Sequence, residues 1–475
     1  MEHRWKVLIV VSVAAFMASL DLFIVNIAFP AISADFSGSS VSELSWVLNA
    51  YAIVFAALLV PAGRFADRIG HRKGFLWGVA VFVIGSALCG AAPSLGALVG
   101  ARILQAMGAA MLLPTSLALL LPGFPPSQRA VAVSIWAAIG AVAAACGPPL
   151  GGLLVEASWR WVFLVNIPVG IAALLYARRL LGESVARADR RIPDLAGTAV
   201  LIVSISLICL GLVEAPTWGW GSAQTIGAIG AGLVGAGIFW RRCLTQPVPV
   251  VDPSFLRVRS YAAAITAMAL YSTAFAAMLL GAVLYLTIVW GESALTAGVM
   301  LAAGPLTAAI FAVPAGRMAA SAGQSLLAGV GSIVFALGCT WFLVRLGPTP
   351  DYAGELLPGM ILTGIGVGLT LPSLSSAAAG SLPPESFATG SAVLTMSRQI
   401  GSVLGVALLI AVLGGTAASG STPDFDAGFV LMVVTALIAS ASAFAIGRVE
   451  PASQPEVGLI EEGSLAEGIA PPVGA

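Results

Sequence analysis

Long apolar stretches without charged residues recur along the whole chain, and they restrict its fold more than any other feature. Only 9% of the residues are charged, whereas soluble globular proteins carry roughly 25%. A chain of 475 residues with so few charged groups has too little polar surface to face water on all sides. A helix needs about 20 apolar residues to cross the hydrocarbon core of a bilayer. The stretches are therefore predicted to be membrane-spanning helices of an all-α membrane protein.

Fourteen such stretches can be counted, and we number the helices that they predict span one to span fourteen. They lie at approximately 7–30, 44–63, 74–93, 97–121, 130–154, 161–177, 195–214, 222–240, 260–289, 297–316, 325–344, 355–380, 387–414 and 427–447. The first contains Asp21 and Asn26 and is too long for the core of a secretion signal, so we expect it to be retained. The residues after Glu450 are rich in Pro, Gly and Glu, which is typical of a disordered tail.

The distribution of basic residues predicts how the chain is oriented in the membrane. An even number of spans places both termini on one side, and the segments on that side hold 18 of the 22 Lys and Arg residues. The loops on the other side contain only Arg160 and Arg345, while Arg102 and Arg398 fall within spans. Basic loops stay in the cytoplasm. The pattern thus predicts a multi-pass inner-membrane protein with both termini cytoplasmic.

The two halves of the chain repeat each other, as they do in many transporters. The sequence VPAGR ends span two at 60–64 and ends span ten at 313–317. Two spans later in each half, four residues match at a single offset: Leu104, Gly108, Leu113 and Pro114 with Leu362, Gly366, Leu371 and Pro372. The predicted organisation is an N-terminal six-helix bundle (1–181), two linker helices with basic cytoplasmic loops (182–259), a C-terminal six-helix bundle (260–449) and a tail (450–475).

The segment between spans two and three reads GRFADRIGHRK over Gly63–Lys73. Glycines permit a tight turn and a close approach of helices. The segment resembles the signature loop of the major facilitator superfamily, whose fold of two six-helix bundles matches the predicted organisation. The resemblance implies a conformational latch at the cytoplasmic seam between the bundles, with a charge relay at its Asp and the following Arg. The latch residues that match are Gly63, Asp67, Arg68, Gly70 and Arg72.

Asp67 is also predicted to lie near the N-terminus of span thirteen, which begins near Ser386 on the same side of the membrane. A carboxylate at a helix N-terminus is stabilised by about 0.3–1 kcal/mol. An interaction of this size suits a latch that must also open.

Charged residues within spans are functional by default because lipid solvates charge poorly, and two of them belong to stretches that resemble family motifs. Asp21 belongs to LDLFIVNIAFP in span one, which resembles the first-span motif of the fourteen-span drug:proton antiporters, the EmrB/QacA branch, with Phe23 in place of the usual Thr. Arg102 begins RILQAMGAA in span four, which resembles the family motif R-x-x-Q-G-x-G-x-A with Ala106 in place of the first Gly. The resemblance implies that Asp21 and Arg102 couple protons to transport, and a purely structural ion pair is the alternative.

Span five contains GPPLGG over 147–152. It resembles the antiporter motif of exporters, G-x-x-x-G-P-x-x-G-G, with Ala143 in place of the first Gly. The matching residues are Gly147, Pro148, Gly151 and Gly152. Gly and Pro bend a helix and let a neighbour approach closely, so simple helix packing is the alternative. The following stretch, WRWVFLVNIP over 159–168, resembles a segment that is frequent in the fourteen-span branch.

Five polar or aromatic residues within spans are candidates for lining a central cavity: Asn26, Asn49, Gln105, Trp136 and Arg398. For Asn49 and Trp136 packing against a neighbouring helix is the interpretation that the sequence favours. Arg398 either lines the cavity or pairs with a neighbour.

The resemblance implies a proton-coupled antiporter that exports small amphipathic molecules by alternating access. The alternative is a proton-coupled uptake symporter for a small nutrient, against which the span-five motif argues. A membrane enzyme would need a cluster of acid and base groups or a metal site, and none is evident, since the chain has two histidines and five cysteines without paired spacing. We therefore expect no enzymatic activity, no metal and no cofactor, with the proton gradient as the energy source. The net charge of zero predicts no nucleic-acid partner, so the partners are substrate, protons and lipid.

Overall fold

The computed structural model describes residues 3–182, 194–383, 386–417 and 425–447. Within this part of the chain the fourteen spans follow one another as helices in the predicted order. Their bounds are His3–Asp35, Val41–Ile69, His71–Gly90, Leu95–Leu120, Pro126–Ala157, Trp161–Leu164 continued by Asn166–Leu180, Leu195–Trp218, Ala223–Thr245, Arg259–Leu284, Ala294–Leu301 continued by Ala303–Ala322, Gln324–Arg345, Leu357–Gly380, Phe387–Ala417 and Phe425–Phe444.

Thirteen spans are long and apolar enough to cross a membrane over their described residues, and span five is a helix of 32 residues. The predicted fold class, an all-helical membrane protein of about fourteen spans, is confirmed. Short turns of 3₁₀ or π geometry extend three of the helices, at Leu121–Gly123, Tyr285–Val289 and Tyr352–Leu356. The domain boundaries stay a prediction, and the predicted tail at 450–475 lies outside the described residues.

Span two is longer at both ends than its apolar stretch predicts. Ser40 and Glu43 form a capping box at its start, where each side chain accepts a hydrogen bond from the other's backbone N–H. The helix then continues past Gly63 to Ile69 and stops at Gly70, whose φ of 98° is accessible to glycine at little cost. Span three begins at the next residue, His71. The segment predicted as a loop is therefore almost entirely helical, because one glycine is sufficient to break the helix.

We call the end of the molecule where spans two and three join the basic side, and the end where spans one and two join the opposite side. Towards the opposite side, Ile24 and Val47 of the N-terminal bundle belong to one buried core with the C-terminal bundle. Towards the basic side, the N-terminal bundle has a core of its own that includes Val11, Phe75 and Leu112. The two bundles therefore share apolar packing mainly in the half towards the opposite side.

The two extra helices pack beside the seam between the bundles. Span seven contacts span two of one bundle and span thirteen of the other, and span eight packs along span seven. Asp194, which precedes span seven, accepts hydrogen bonds from Nε and Nη2 of Arg242 in span eight, both at 2.6 Å. These bonds from Arg242 hold the pKa of Asp194 below its usual value. An ion pair thus fastens the extra helices to each other at the basic side.

Candidate functional site

Asp21 lies in span one with no exposed surface, and side chains of two other spans surround its carboxylate. Its Oδ2 accepts a hydrogen bond from Nη1 of Arg102 in span four at 2.5 Å. Its Oδ1 accepts from Nε2 of Gln105 at 2.8 Å and from Nδ2 of Asn166 in span six at 3.4 Å. All three neighbours donate, which suits an ionised carboxylate because that group only accepts hydrogen bonds.

The Arg102 guanidinium is as deeply buried as its partner, with 1% of the residue exposed. Besides Asp21, it donates to Oε1 of Gln105 at 2.6 Å and to the main-chain carbonyl of Val47 in span two at 3.1 Å. It also lies over the ring of Tyr51, 4.0 Å from the centroid, where a cation is attracted to the π face. The charge of Arg102 is therefore compensated by a carboxylate, by two hydrogen-bond acceptors and by an aromatic ring.

Ser86 of span three completes this arrangement by accepting hydrogen bonds from Gln105 at 2.7 Å and from Asn166 at 3.1 Å. We call these five residues, Asp21, Ser86, Arg102, Gln105 and Asn166, the Asp21 network. Arg102 and Gln105 are three residues apart and so share one face of span four. The network joins four helices of the N-terminal bundle. Removing one partner of such a buried ion pair costs about 3–5 kcal/mol, because the other charge is left without compensation.

Three members of the network were predicted from the sequence as functional residues, whereas Ser86 and Asn166 were not. Asn166 lies within the stretch at 159–168 that resembles the fourteen-span branch, so a signal was present, but no role was predicted for Asn166 itself. Ser86 is a single hydroxyl in an apolar span, and serines of this kind are common in helices. Its role follows only from the positions of Gln105 and Asn166.

A central cavity lies between the two bundles. Its walls come from spans one, two and four of the N-terminal bundle and from spans nine and thirteen of the C-terminal bundle. Arg102 is one of the lining residues, whereas Asp21 lies behind it. The Asp21 network thus reaches the cavity through the Arg102 side chain.

Three of the five predicted cavity residues, Asn26, Asn49 and Arg398, line this cavity. Asn26 donates its Nδ2 hydrogen bond to the main-chain carbonyl of Leu22 at 3.0 Å. Asn49 is 1% exposed, and both its amide oxygen and its amide nitrogen have no hydrogen-bond partner among the described residues. For Asn49, helix packing was the favoured interpretation, and the structure places this almost fully buried residue in the cavity wall.

The other two predicted cavity residues are not among the lining residues. Gln105 is held behind Arg102 by its bonds within the Asp21 network. Trp136 of span five donates from its indole N–H to Oγ of Ser116 in span four at 3.1 Å. Three polar residues that do line the cavity, Tyr51, Gln399 and Ser402, were not predicted from the sequence. A polar residue on a span has no sequence signal that tells which face it occupies.

Comparison with known proteins agrees with this architecture. The family model described as Major Facilitator Superfamily matches residues 11–195 and 261–470. The chain belongs to the Major Facilitator Superfamily. The two matched segments correspond to the two bundles, and the unmatched segment between them contains spans seven and eight.

Relatives of this facilitator include two bacterial drug-resistance proteins. The multidrug resistance protein Stp of Mycobacterium tuberculosis (strain CDC 1551 / Oshkosh) is 32% identical over 421 residues, covering 88% of this chain and 78% of the relative. The multidrug export protein EmrB of Escherichia coli (strain K12) is 31% identical over 405 residues, covering 84% and 78%. Membership in this branch, predicted from the motifs, is confirmed.

Among solved structures, a bacterial homolog of the human lysosomal transporter Spinster, inward-facing and unoccupied, is similar with a TM-score of 0.67. Its sequence identity is 17%, and the match covers 94% of this chain and 97% of that chain. At this identity the likeness shows a common fold.

The predicted latch of this facilitator lies where spans two and three meet. The Asp67 carboxylate is 3.5 Å from Nε2 of His71, one helical turn later. Arg72 donates from Nη2 to the main-chain carbonyl of Arg178 at the end of span six, at 2.9 Å. Arg68 is exposed. These contacts anchor the segment to its own bundle, and the charge relay and the approach of Asp67 to span thirteen stay predictions.

The glycines of the predicted latch have different structural roles. Gly63 lies inside span two, and an added Cβ there would be 3.6 Å from Cβ of Pro114 in span four, an ordinary contact distance. Gly70 provides the positive φ that separates spans two and three. The conformational freedom of glycine is therefore needed at Gly70 and not at Gly63.

Span five crosses span one at the predicted antiporter motif. An added Cβ at Gly147 would lie 2.7 Å from the side chain of Phe23, and one at Gly151 would lie 2.9 Å from that of Ile24. Real Cβ atoms essentially never approach so closely. These glycines let span five lie against the same stretch of span one that contains Asp21.

The same motif also contacts the C-terminal bundle at the opposite side. An added Cβ at Gly152 would lie 2.5 Å from the carbonyl oxygen of Ala294 in span ten. A Cβ on Gly298 of span ten would collide with the carbonyl of Pro148. The backbones of spans five and ten therefore touch, and glycine on each of them is what permits the contact.

Proposed function

We propose that this facilitator exports small amphipathic molecules in exchange for protons, by alternating access of its central cavity. Support comes from the family, from relatives named for multidrug resistance and multidrug export, and from the span-five motif. The observation that carries the proposal is the buried Asp21–Arg102 pair, since its Arg lines the cavity between the bundles. A titratable acid is thereby linked to the space in which a substrate would bind.

In this scheme Asp21 is the proton-binding group and Arg102 is its counter-charge. Nη1 of Arg102 donates to Oδ2 of the carboxylate. In the scheme a proton on Asp21 replaces this hydrogen bond, and Arg102 moves away from the carboxylate. Arg102 also bonds Val47 of span two, so its movement changes contacts between helices at the cavity wall. Protonation is in this way coupled to a rearrangement of the N-terminal bundle.

We further propose that the basic side is cytoplasmic and that the protein lies in the inner membrane with both termini inside. The arrangement then resembles an inward-facing state, because the close contact of spans five and ten and the core shared by the bundles lie towards the opposite side. Those contacts must separate for the cavity to open to the outside.

The test uses purified protein in liposomes with an imposed gradient, acidic outside, and pyranine inside to report pH. Fluorescein, rhodamine 123, chloramphenicol and tetracycline are loaded in turn, with protein-free liposomes as the blank. At least one compound is expected to accelerate collapse of the gradient in a protein-dependent way. If none of them does so, proton antiport is refuted.

The Asp21→Asn variant is expected to lose gradient-driven export while it retains counterflow, the exchange of labelled for unlabelled substrate without a gradient. Retained counterflow shows that the variant is folded. The matched control is Asp35→Asn in the same helix, whose carboxylate pairs with Arg160 at 2.9 Å and is 43% exposed. The control should export at nearly the wild-type rate, and full gradient-driven export by Asp21→Asn would remove Asp21 from the mechanism.

A further inference from the structure

The charged groups that line the central cavity are both cationic. They are Arg102 in the wall of the N-terminal bundle and Arg398 in the wall of the C-terminal bundle, and no Asp or Glu is among the lining residues. The carboxylate of Asp21 is fully buried behind Arg102, so its negative charge compensates Arg102 and not Arg398. A ligand in the cavity therefore meets one positive charge that the protein has not compensated, on Arg398.

Arg398 differs from Arg102 in having no protein partner. Among the described residues, no carboxylate lies within ion-pair distance of Arg398, and its guanidinium donates no hydrogen bond. It is only half-buried and reaches the cavity from the middle of span thirteen. A cation without a partner at membrane depth is costly, and an anion in the cavity would remove this cost.

Unpartnered polar atoms surround the same space. The side-chain amide of Asn49, the hydroxyl of Tyr51 and Nε2 of Gln399 have no hydrogen-bond partner among the described residues. These residues are between 1% and 4% exposed, and all three line the cavity. Each supplies an N–H or O–H donor, and buried donors are normally satisfied. The cavity is thus equipped with donors to complement the charge of Arg398.

Apart from Asn26 and Ser402, the rest of the lining is apolar. Leu22 and Phe23 on one wall, and Phe275, Leu279 and Val403 on the other, offer aliphatic and aromatic surface. A ligand that fits both parts of the lining has an apolar, preferably aromatic body and a compact anionic or acceptor-rich group.

We propose that the substrates of this transporter are organic anions, such as aromatic carboxylates, sulfonates and phenolates, with the anionic group bound to Arg398. The proposal rests on the export function proposed above and specifies its substrate class. Gln399, Asn49 and Tyr51 supply further donors, and a cation is disfavoured because nothing in the lining offsets repulsion from Arg398.

The direction of coupling supports Arg398 over Arg102 as the anion-binding residue. If the anion bound to Arg102, protonation of Asp21 would release that guanidinium and strengthen anion binding. Proton and anion would then travel together, which is the opposite of exchange. An anion held by Arg398 leaves the Asp21–Arg102 pair intact, so substrate binding does not require the proton.

The test compares fluorescein and rhodamine 123, which share a xanthene ring system and carry opposite charges at neutral pH. Initial rates of export are measured in the gradient-driven liposomes. The wild-type protein is expected to export fluorescein in preference to rhodamine 123. Arg398→Gln should lower the fluorescein rate at least tenfold, since a hydrogen-bonded charge is lost. Arg398→Lys should restore much of it, and Arg345→Gln, an exposed Arg at the end of span eleven, is the control.

A second variant tests the site without removing Arg398. Gln399→Glu places a carboxylate in the same cavity wall as the guanidinium and should reduce fluorescein export while it raises export of rhodamine 123. An equal loss for both dyes would contradict the proposal, because it indicates damage to the fold and not a change of charge preference.

Preferential export of rhodamine 123 by the wild-type protein, or an unchanged fluorescein rate in Arg398→Gln, would overturn anion selection while leaving proton antiport standing. If antiport itself fails, none of the four compounds accelerates collapse of the pH gradient.

Discussion

The two walls of the central cavity differ in how they compensate the charges of their arginines. In the wall of the N-terminal bundle, Arg102 has a carboxylate, a side-chain amide, a main-chain carbonyl and an aromatic ring as partners. In the wall of the C-terminal bundle, Arg398 has no carboxylate or hydrogen-bond acceptor among the described residues. Both arginines lie in spans and both line the same cavity.

In the proposed antiport mechanism, this difference separates two tasks of the transporter. A charge that is fully compensated by its own bundle responds to a proton, because protonation of Asp21 breaks up the compensation. An arginine whose charge is not compensated responds to a ligand, because an anionic ligand supplies the missing counter-charge. The N-terminal wall is therefore suited to binding the proton, and the C-terminal wall to binding the substrate.

The largest expected effect is a loss of protein stability, which should differ between substitutions of Arg102 and Arg398. Arg102→Leu leaves the Asp21 carboxylate buried without its counter-charge and should destabilise the protein by about 3–5 kcal/mol. Arg398→Leu removes a cation that has no protein partner and should leave the thermal unfolding temperature in detergent unchanged or raised. Both variants should lose export of fluorescein. Equal drops in unfolding temperature would mean that the two walls do not differ as described.

The next effect concerns the contact that brings the walls together at the opposite side. Gly298→Ala introduces a Cβ that collides with the carbonyl of Pro148, and such overpacking costs about 1–3 kcal/mol. The contact of spans five and ten should loosen. Gly140→Ala in span five is the control, because a Cβ there meets nothing within 4 Å.

The readout is labelling of a cysteine placed at the cavity residue Asn26, in protein without the five native cysteines. A membrane-impermeant maleimide added at the opposite side should react several-fold faster in Gly298→Ala than in wild type or Gly140→Ala. Identical rates in all three would show that the glycine contact does not seal that side.

A smaller effect tests how the charge compensation of the N-terminal wall is shared. Gln105→Leu removes donors to Asp21 and Ser86 and an acceptor for Arg102, which should cost about 1–3 kcal/mol. Asn166→Leu removes a longer bond to Asp21, at 3.4 Å, and should cost less. Gradient-driven export should fall in the same order. The reverse order would mean that Asn166, and not Gln105, supports the carboxylate.

The smallest effect comes from an ion pair outside both walls. Asp194→Asn breaks the pair with Arg242, which is 32% exposed, so stability should fall by about 1 kcal/mol or less. Because Arg242 lowers the pKa of Asp194, the contribution is present above the usual Asp value of 3.8 and is lost as the pH falls through the lowered value. Unfolding temperatures of wild type and variant should converge in that acid range. Export should not change, and a large loss of export would assign the extra helices a direct role in transport.

Much of the architecture was predictable because lipid imposes strong and local requirements on a chain. Each span needs a long apolar stretch, so the fourteen helices follow from composition alone. The family motifs also identified Asp21, Arg102 and the span-five glycines, since a charge or a Gly–Pro cluster within a span is conspicuous. The same local signals misplaced the break between spans two and three, because span two continues to Ile69 and a single glycine ends it.

The sequence by itself determined the number and order of the helices, the family, and the presence of a carboxylate and two arginines at membrane depth. Only the tertiary structure decided that Ser86 and Asn166 complete the network of Asp21, that Gln105 lies behind the cavity wall, and that Tyr51 and Gln399 face the cavity. The physical reason is that lipid requires every span to be apolar, whereas the direction in which an individual polar side chain points depends on how the helices pack. Whether a buried arginine is compensated depends on neighbours that come from other spans, far away in the chain.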